Sequence, residues 1–323
     1  MSQLGLPDTL AEALTGGDLR ILVTGAGGWI GSATLELLAG ALGHEAFRRR
    51  VLAFGSHARR LILRGGLAID LAPLEALAGI ADGPALLLHY AFLGREKASA
   101  MPLADYRAAN ARISEIVERT VARLRPRGMV LASSGAIYGP NRTLDDDFER
   151  NPYGVLKRQD ELRFAVACHA AGTRLVVPRV FNIAGPYINK LDSYALASFL
   201  VDALAGRPIA IRAAQRVERS YVHVGDVAAL ALAALLEPGA EALTFDTAGE
   251  RVVEMGELAV LVRDALGRPD LEIHRPPVDA GRPVDRYVGD GTAMSALARR
   301  RGITLLDLPD QIRRTAEYLR EIR

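Results

Sequence analysis

The chain has 323 residues, of which half are apolar, 24% are charged and one is cysteine. A sizeable core can therefore form without disulfides, and we predict no metal site. The 40 basic and 38 acidic residues leave a formal net charge of +2, which is too balanced to indicate a nucleic-acid or membrane-surface partner. No apolar run reaches the ~18 residues of a membrane span. Since the N-terminus also lacks the basic-then-apolar order of a secretory signal, we predict a soluble, cytoplasmic protein.

Predicted strands and helices alternate through the first 181 residues. A short amphipathic helix, ending by about residue 18, precedes the fold. Strands are then predicted at 20–25, 48–54, 85–92, 129–134 and 174–181, and helices at 30–41, 105–123 and 153–171. This alternation predicts an α/β fold with a doubly wound parallel sheet.

Beyond residue 181 the pattern loosens. Short apolar strands are separated by helices predicted at about 192–205, 226–236 and 254–266. We therefore expect a larger domain over 1–181, in which 1–18 is an N-terminal extension. A smaller, interleaved C-terminal lobe is expected over 182–323, with about 215–248 returning to the sheet.

A glycine-rich turn separates the first strand from the first long helix. Gly25 allows a tight turn, Gly28 lets the backbone approach a pyrophosphate, and Gly31 lets helix and strand pack closely. The helix, which begins at Trp29 and Ile30, offers free N–H groups and a positive dipole end to phosphates. Because the glycines lie between a strand and a helix, they predict a dinucleotide site.

Tyr153 and Lys157 lie four residues apart in a predicted helix, so their side chains share one face. The chain has only three lysines, which makes such a pair uncommon by chance. A free tyrosine, with a pKa of about 10, is a poor acid or base at neutral pH. A neighbouring ammonium favours the phenolate. Tyr153 can then exchange a proton with a carbonyl oxygen while hydride moves to carbon.

These motifs resemble the short-chain dehydrogenase/reductase superfamily, in which TGxxGxxG and YxxxK occur together on a Rossmann fold. The segment from Ser133 to Gly139 is similar to the SS(S/T)xxxYG of the extended branch, the branch that contains UDP-galactose 4-epimerase. The resemblance implies that Ser134 is the third catalytic residue and hydrogen-bonds the reacting oxygen of the substrate. We interpret Ser133 as a strand-end residue only.

Further matches to the family imply where the cofactor lies. Asp70-Leu71 resembles a pair that meets the adenine ring, His89-Tyr-Ala-Phe92 resembles the HLAA strand end, and Asn110 falls at a YxxxN position. The implied cofactor site consists of Gly25, Gly28, Trp29, Ile30, Gly31, Ser56, Arg59, Arg60, Asp70, Leu71, Ala91, Phe92, Asn110, Tyr153, Lys157 and Val180.

The end of the second predicted strand indicates which nicotinamide cofactor is preferred. In NAD-preferring members an Asp or Glu there hydrogen-bonds the adenine ribose. Here no carboxylate occupies that place, and Arg59 and Arg60 follow within reach of a 2′-phosphate. We therefore predict NADP(H) as the preferred cofactor, with NAD as the alternative.

Three later motifs imply a nucleotide-activated sugar as substrate. Asn182 lies in a segment similar to RxFNxxGP, Arg219 in one similar to RDYxHV, and Arg282 in one similar to RPxD. Guanidinium groups pair bidentately with phosphate oxygens, so two arginines suit a diphosphate. The alternative is that both arginines form surface ion pairs with carboxylates such as Asp285 and Asp226.

The resemblance therefore implies an enzyme that transfers hydride between NADP(H) and C4 of a nucleotide sugar, as a 4-ketoreductase or a 4-epimerase. A 4,6-dehydratase is disfavoured because Gly135-Ala136 stands where that group has Asp-Glu. A reductase of a non-sugar ketone and a non-catalytic NADP-sensing regulator are the alternatives. The resemblance also implies a homodimer formed through the helices at 105–124 and 153–171.

Overall fold

The computed structural model describes residues 4–139, 142–237, 239 and 241–322. The strands are β1 Arg20–Thr24, β2 Val51–Gly55, β3 Arg59–Ile62, β4 Ala68–Pro73, β5 Ala85–His89, β6 Gly128–Leu131, β7 Ser133–Ser134, β8 Arg174–Val180, β9 Asn182–Ala184, β10 Ile209–Ala210, β11 Val217–Arg219, β12 Tyr221–His223, β13 Leu243–Asp246, β14 Val253–Glu254, β15 Ile273–His274 and β16 Asp285–Tyr287. The helices are α1 Asp8–Thr15, α2 Trp29–Arg50, α3 Arg95–Ala98, α4 Leu103–Leu124, α5 Pro152–Ala171, α6 Ala195–Leu204, α7 Val224–Leu235, α8 Met255–Ala265, α9 Thr292–Arg300 and α10 Leu308–Glu321.

The described chain divides into two compact units. The N-terminal unit comprises Leu4–Val180 and Ala228–Phe245, and the C-terminal unit comprises Phe181–Val227 and the chain from Asp246 onward. The segment that returns to the larger unit is therefore shorter than the 215–248 expected from the sequence. The reason is that β11 and β12 pair with β14, β16 and β9 inside the C-terminal unit.

The largest sheet among the described residues has nine strands and belongs to the N-terminal unit. Its order is β13-β8-β6-β5-β1-β2-β4-β3, with β7 beside β8. The pairs from β2 through β1, β5 and β6 to β8 are parallel, whereas β3 runs antiparallel to β4. The predicted doubly wound parallel sheet is confirmed. From β1 the chain builds outward to one side and then returns to build the other side from β5, so the topological switch point lies between β1 and β5.

The centre of this sheet is buried on both faces, which explains why its strands read as continuous apolar runs. Every residue of β5 is buried. On one face the core continues into α4 and α5 through Val117, Phe164 and Cys168. Burial raises the pKa of the Cys168 thiol to about 12, so this thiol is an inert packing group.

The start of the fold differs from the sequence prediction in one element. The helix predicted over 30–41 ends at a kink at Gly43, whose φ of 71° and ψ of 161° are not helical, and a second helical segment of α2 follows as far as Arg50. The second strand consequently begins at Val51 instead of residue 48. Arg50 is the last residue of α2, and its guanidinium donates to the carbonyls of Leu19 and of Leu14, the second of which ties α2 to the N-terminal extension.

The C-terminal unit carries smaller sheets and three mutually packed helices. Within the described chain its sheets pair β10 with β15, β9 with β12, and β11 with both β14 and β16. Helices α6, α8 and α10 pack against one another. No helix in the described ranges is long and apolar enough to cross a membrane.

Candidate active site

The glycine turn lies at the carboxyl end of β1, at the switch point of the sheet. Gly25 has φ 66°, and a Cβ there would lie 2.5 Å from the backbone of Tyr90 and Ala91. A Cβ on Gly31 would lie 2.3 Å from the carbonyl oxygen of Gly25. Gly28 is less confined, since its nearest contact would be 3.2 Å. Gly25 and Gly31 are thus required by packing, while Gly28 leaves the approach to the N-terminus of α2 open.

A buried hydrogen bond joins the two strand ends that flank the turn. Thr24 Oγ1 and His89 Nδ1 are 2.7 Å apart, and the amide of Ala91 donates to Thr24 Oγ1 over 3.4 Å. Burial and, to a smaller extent, the charge of Lys157 together lower the pKa of His89 to about 3, so this imidazole is neutral. The pair fixes the backbone that Gly25 packs against.

Arg59 lies over the glycine turn. A Cβ on Gly27 would come within 2.0 Å of Arg59 Nη2, so a side chain at this position would displace the guanidinium. In the β3–β4 hairpin Arg59 pairs with Leu71 and Arg60 with Asp70, whose side chains form an exposed ion pair at 4.0 Å. Ser56 is exposed, and its Oγ lies 3.0 Å from Nδ1 of its neighbour His57. Sequence reasoning missed Gly27, because it is the one glycine of the turn that the motif spacing does not require.

Ser134 is positioned by β8 and by the short 3-10 helix Gly135–Ile137 that follows Ser134 in the chain. Strand β7 pairs in parallel with β8, which sets Ser134 opposite Val180. Ser134 Oγ accepts from the Ala136 amide at 3.1 Å and donates to the Val180 carbonyl at 3.4 Å. Its hydroxyl therefore stands at the carboxyl end of the parallel sheet, next to a backbone predicted to line the cofactor.

The first turn of α5 is fastened to the same 3-10 helix. Asn151 caps α5 by accepting from the Gly154 amide at 3.0 Å, and its Nδ2 donates to the Ala136 carbonyl at 2.7 Å. A Cβ on Gly154 would lie 2.0 Å from that carbonyl oxygen. Tyr153, between these two residues, is thereby held beside the segment that Ser134 caps. Asn151 was not predicted, though Asn followed by Pro is a recognisable helix start.

Lys157, Tyr153 and Phe92 form one cluster. Lys157, 5% exposed, donates through Nζ to the Ala132 carbonyl at 2.8 Å, and Nζ lies 3.8 Å from the centroid of the Phe92 ring. Phe92 meets the Tyr153 ring edge-to-face, with centroids 5.6 Å apart. Burial lowers the pKa of Lys157 to about 8, against the opposing charges of Asp160 and Glu161. The ammonium is therefore present at neutral pH and sits over the Phe92 ring.

Asn110 supports this cluster from behind. Its Oδ1 accepts from the Leu93 amide at 2.9 Å, and its Nδ2 donates to the Tyr106 carbonyl at 3.3 Å. The Tyr106 hydroxyl in turn donates to the Leu93 carbonyl at 2.7 Å. Both ends of the Asn110 amide are thus engaged with backbone, and the residue fixes the segment that carries Phe92.

The expected substrate residues lie in the C-terminal unit. Asn182 Nδ2 donates to the carbonyls of Ser220, at 3.3 Å, and Tyr287, at 3.0 Å. Arg219 forms a bidentate pair with Asp285, with Nη2–Oδ2 2.9 Å and Nη1–Oδ1 3.1 Å. The Arg282 side chain is 59% exposed, and its Nε lies 3.4 Å from Asp279 Oδ2.

The ion-pair alternative is therefore present in the structure for Asp285 but not for Asp226. Asp226 instead accepts the Leu306 amide at 2.9 Å, and burial raises its pKa to about 6. Nowhere in the described ranges do three or more His, Cys, Asp or Glu side chains form a group that could hold a metal ion.

Residues 21–244 match the NAD dependent epimerase/dehydratase family. The dTDP-4-dehydro-6-deoxy-D-allose reductase of Streptomyces bikiniensis is 32% identical over 198 residues, which are 54% of this chain and 58% of the reductase. The match thus spans a little over half the length of that relative. The UDP-glucose 4-epimerase of Azospirillum brasilense is 30% identical over 241 residues, 67% of this chain and 68% of the epimerase.

Solved structures show the same fold. The UDP-glucose 4-epimerase of Thermotoga maritima, determined with UDP-glucose, aligns with a TM-score of 0.71 at 22% identity, covering 94% of this chain and 99% of that one. The resemblance inferred from the glycine turn, the serine segment and the Tyr–Lys pair is confirmed. The chain belongs to the NAD dependent epimerase/dehydratase family.

Proposed function

We propose that this protein transfers hydride between a nicotinamide cofactor and C4 of a nucleotide-activated sugar. The observation that carries the proposal is a continuous line of contacts from the glycine turn to the proton-transfer pair. Gly25 packs against Ala91, and the next residue, Phe92, contacts both Lys157 and Tyr153. A cofactor whose pyrophosphate rests on the turn would then bring its nicotinamide end towards the pair.

Tyr153, Ser134 and Lys157 each have a distinct role in this chemistry. The bound nicotinamide ring supplies the hydride in reduction and accepts it in oxidation. In reduction the carbonyl oxygen takes its proton from the Tyr153 hydroxyl. Ser134 donates a hydrogen bond to the same oxygen, which stabilises the negative charge that develops there. The Lys157 ammonium favours the tyrosinate that remains.

We propose NADP(H) as the preferred cofactor. The support is the Arg59 guanidinium beside Gly27 of the turn, together with the missing carboxylate at the end of β2. A guanidinium offers two parallel hydrogen bonds to a 2′-phosphate, which NADP has and NAD lacks. Arg60 is a weaker candidate for binding the 2′-phosphate, because its guanidinium already faces Asp70.

We propose that Arg219 and Arg282 bind the substrate diphosphate and that Asn182 borders the sugar. The Arg219 side chain is 19% exposed and Asp285 is 44% exposed, so a diphosphate could displace this carboxylate without a buried charge being left unpaired. The reductase relative is named for a dTDP-linked substrate and the epimerase relative for a UDP-linked one. Both nucleotides are therefore the first to test.

Reduction and epimerisation use the same residues, and one observation favours each. The position of the Arg59 guanidinium beside Gly27, where we propose that it binds the 2′-phosphate, favours a reductase, which consumes NADPH. The match to UDP-glucose 4-epimerase covers two thirds of the chain and favours an enzyme that returns the hydride to the other face of the sugar. A panel of dTDP-, UDP-, GDP- and CDP-linked sugars and their 4-keto forms, incubated with NADP(H), separates them by absorbance and product stereochemistry. Failure of every nucleotide sugar to react would remove the proposal.

We also propose that the protein is a homodimer. Leu162 and Val166 lie four residues apart on α5 and are 54% and 73% exposed, so they form an uncovered apolar strip. A second α5 would cover it. Light scattering at micromolar protein should give twice the chain mass, and a monomer mass would contradict the proposal.

A further inference from the structure

The Glu161 carboxylate is a buried hydrogen-bond hub behind the serine segment. Glu161 is 6% exposed, and Oε1 accepts from the Ser133 hydroxyl at 2.6 Å and from Arg179 Nε at 2.9 Å. Its Oε2 accepts from Arg179 Nη2 at 2.8 Å and from Arg158 Nη1 at 2.9 Å. These donors lower the pKa of Glu161 despite its burial, so the carboxylate is ionised and fully used.

The hub joins the three elements on which the serine segment depends. Glu161 belongs to α5, Ser133 to β7 and Arg179 to β8. Ser133 and Arg179 are also strand partners in the parallel β7–β8 pair. The Glu161 carboxylate therefore hydrogen-bonds to both residues of one β7–β8 strand pair, Ser133 and Arg179, and attaches them to α5.

Because side-chain direction alternates along a strand, fixing the Ser133 side chain also fixes the side-chain direction of the next residue, Ser134. Successive side chains of a strand point to opposite faces. Since the Ser133 hydroxyl is directed to α5, the side chain of Ser134 is directed away from the hub. The interpretation of Ser133 as a strand-end residue alone was incomplete, because its hydroxyl fixes the orientation of its neighbour.

Helix α5 thus holds two successive residues, Ala132 just before β7 and Ser133 within it. Lys157 donates to the Ala132 carbonyl, and Glu161, one turn further along the helix, accepts from Ser133. Tyr153 lies one turn before Lys157 on the same helix. The distance along α5 between Tyr153 and these two contacts is set by helix geometry, so the contacts determine where Ser134 stands relative to Tyr153.

We propose that Glu161 is a positioning residue whose contacts with Ser133 and Arg179 hold the Ser134 hydroxyl in line with Tyr153. The inference rests on the proposed function for its kinetic consequence, though not for its structural one. A loosened hub lets β7 shift, and displacements of about 1 Å at a reacting group reduce turnover by as much as ~10²-fold.

The test uses Ser133→Ala, which removes one hydroxyl, and Glu161→Gln, which removes the charge. Each should lower kcat by roughly tenfold to a hundredfold, with KM and the NADPH Kd within about twofold of wild type. Placed on a Ser134→Ala background, each should lower kcat by less than about twofold more, because the group being positioned is gone. Losses that multiply fully in the double variants would overturn the proposal.

Glu118→Gln is the matched control. Glu118 pairs with Arg163 of α5 at 3.4 Å, so this change also removes an ion pair between α5 and its surroundings, yet it does not involve β7. We expect its kcat to stay within twofold of wild type. An equal loss in Glu118→Gln would mean that any weakening of α5 lowers turnover, which would overturn the specific role of Glu161.

Amide hydrogen exchange tests the positioning role of Glu161 without depending on enzymatic activity. In Ser133→Ala and Glu161→Gln the Ala136 amide, which donates to Ser134 Oγ, should exchange at least tenfold faster, while the Gly154 amide held by Asn151 should not change. Unchanged exchange at Ala136 would overturn the proposal whatever the activity. If no nucleotide sugar reacts but Ala136 exchange rises as expected, the proposed function fails and the positioning stands.

Discussion

The two units hold their expected site residues in different ways. In the N-terminal unit, Ser134 and Lys157 are buried and hydrogen-bonded to backbone atoms. In the C-terminal unit, Arg219 and Arg282 are more exposed and face the carboxylates Asp285 and Asp279. Backbone partners cannot leave, whereas exposed ion pairs contribute little free energy and can be exchanged. The first arrangement suits groups that must already be in place for proton transfer, and the second suits groups that wait for a ligand.

The largest expected effect comes from the preorganised unit. Tyr153→Phe removes the proton donor but keeps the ring that packs on Phe92. We expect turnover to fall at least ~100-fold, the scale of a general acid, and the NADPH Kd to stay unchanged. Ser134→Ala should cost less, since the acid remains. Steady-state rates with a reactive nucleotide sugar measure both, and full activity in Tyr153→Phe would exclude the mechanism.

The Arg59 contact predicts the next largest effect. Arg59→Ala should weaken NADPH by about 1.5 to 3 kcal/mol, the value of a hydrogen bond to a charged group, which is roughly tenfold to a hundredfold in Kd. NADH, which has no 2′-phosphate, should bind Arg59→Ala as it binds wild type. Calorimetric titrations with both cofactors decide this. Equal NADPH and NADH affinities in wild type would show that Arg59 has no such role.

Substitution of Arg219 or Arg282 should weaken substrate binding and leave cofactor binding unchanged. Arg219→Ala and Arg282→Ala should each raise KM for the nucleotide sugar by about tenfold, the lower end of a charged hydrogen bond, because wild-type Arg219 must first release Asp285. NADPH affinity should not change. Nucleoside diphosphates should compete with substrate, and the tightest would identify the base. Variants that lose only thermal stability would favour the ion-pair alternative for both arginines.

The smallest predicted effect is a pH dependence of cofactor affinity. Because burial lowers the pKa of Lys157 to about 8, its ammonium is lost as pH rises from 7 to 9, and NADPH should bind up to about tenfold more weakly at the higher pH. The unfolded chain keeps this proton up to its usual pKa, so the Lys157 contribution to the free energy of unfolding increases between pH 8 and that value. In Lys157→Met both dependences should flatten.

The features that sequence reasoning located are those whose cause is local. The spacing of Gly25, Gly28 and Gly31 and the Tyr153–Lys157 interval are properties of one turn and one helix face. What it missed depends on residues distant in sequence. Gly27 is confined by Arg59, 32 positions later, and the partner of Ser133 is Glu161 on another element. The full β3–β4 hairpin was not predicted, because its exposed strand Arg59–Ile62 carries arginines in place of an apolar run.

Partner choice was the least predictable property. Asp285 and Asp226 were equal candidates for the arginines, since nothing in the sequence distinguishes two carboxylates of one lobe. The structure separates them: Asp285 lies on β16, beside Arg219 on the paired strand β11, whereas Asp226 is buried at the start of α7. An ion pair between residues 66 positions apart, which depends on the pairing of β11 with β16, cannot be read from local spacing.

Isotope transfer is the sharpest test of hydride transfer between the cofactor and sugar C4. NADPH deuterated at C4 of the nicotinamide, prepared separately in its two stereochemical forms, is incubated with the protein and a 4-keto nucleotide sugar. We expect that one form alone passes its deuterium to sugar C4, seen as a mass increase of one unit in the product, and that Tyr153→Phe nearly abolishes the transfer. Oxidation of NADPH without deuterium in the sugar, or equal transfer from both forms, would contradict this expectation.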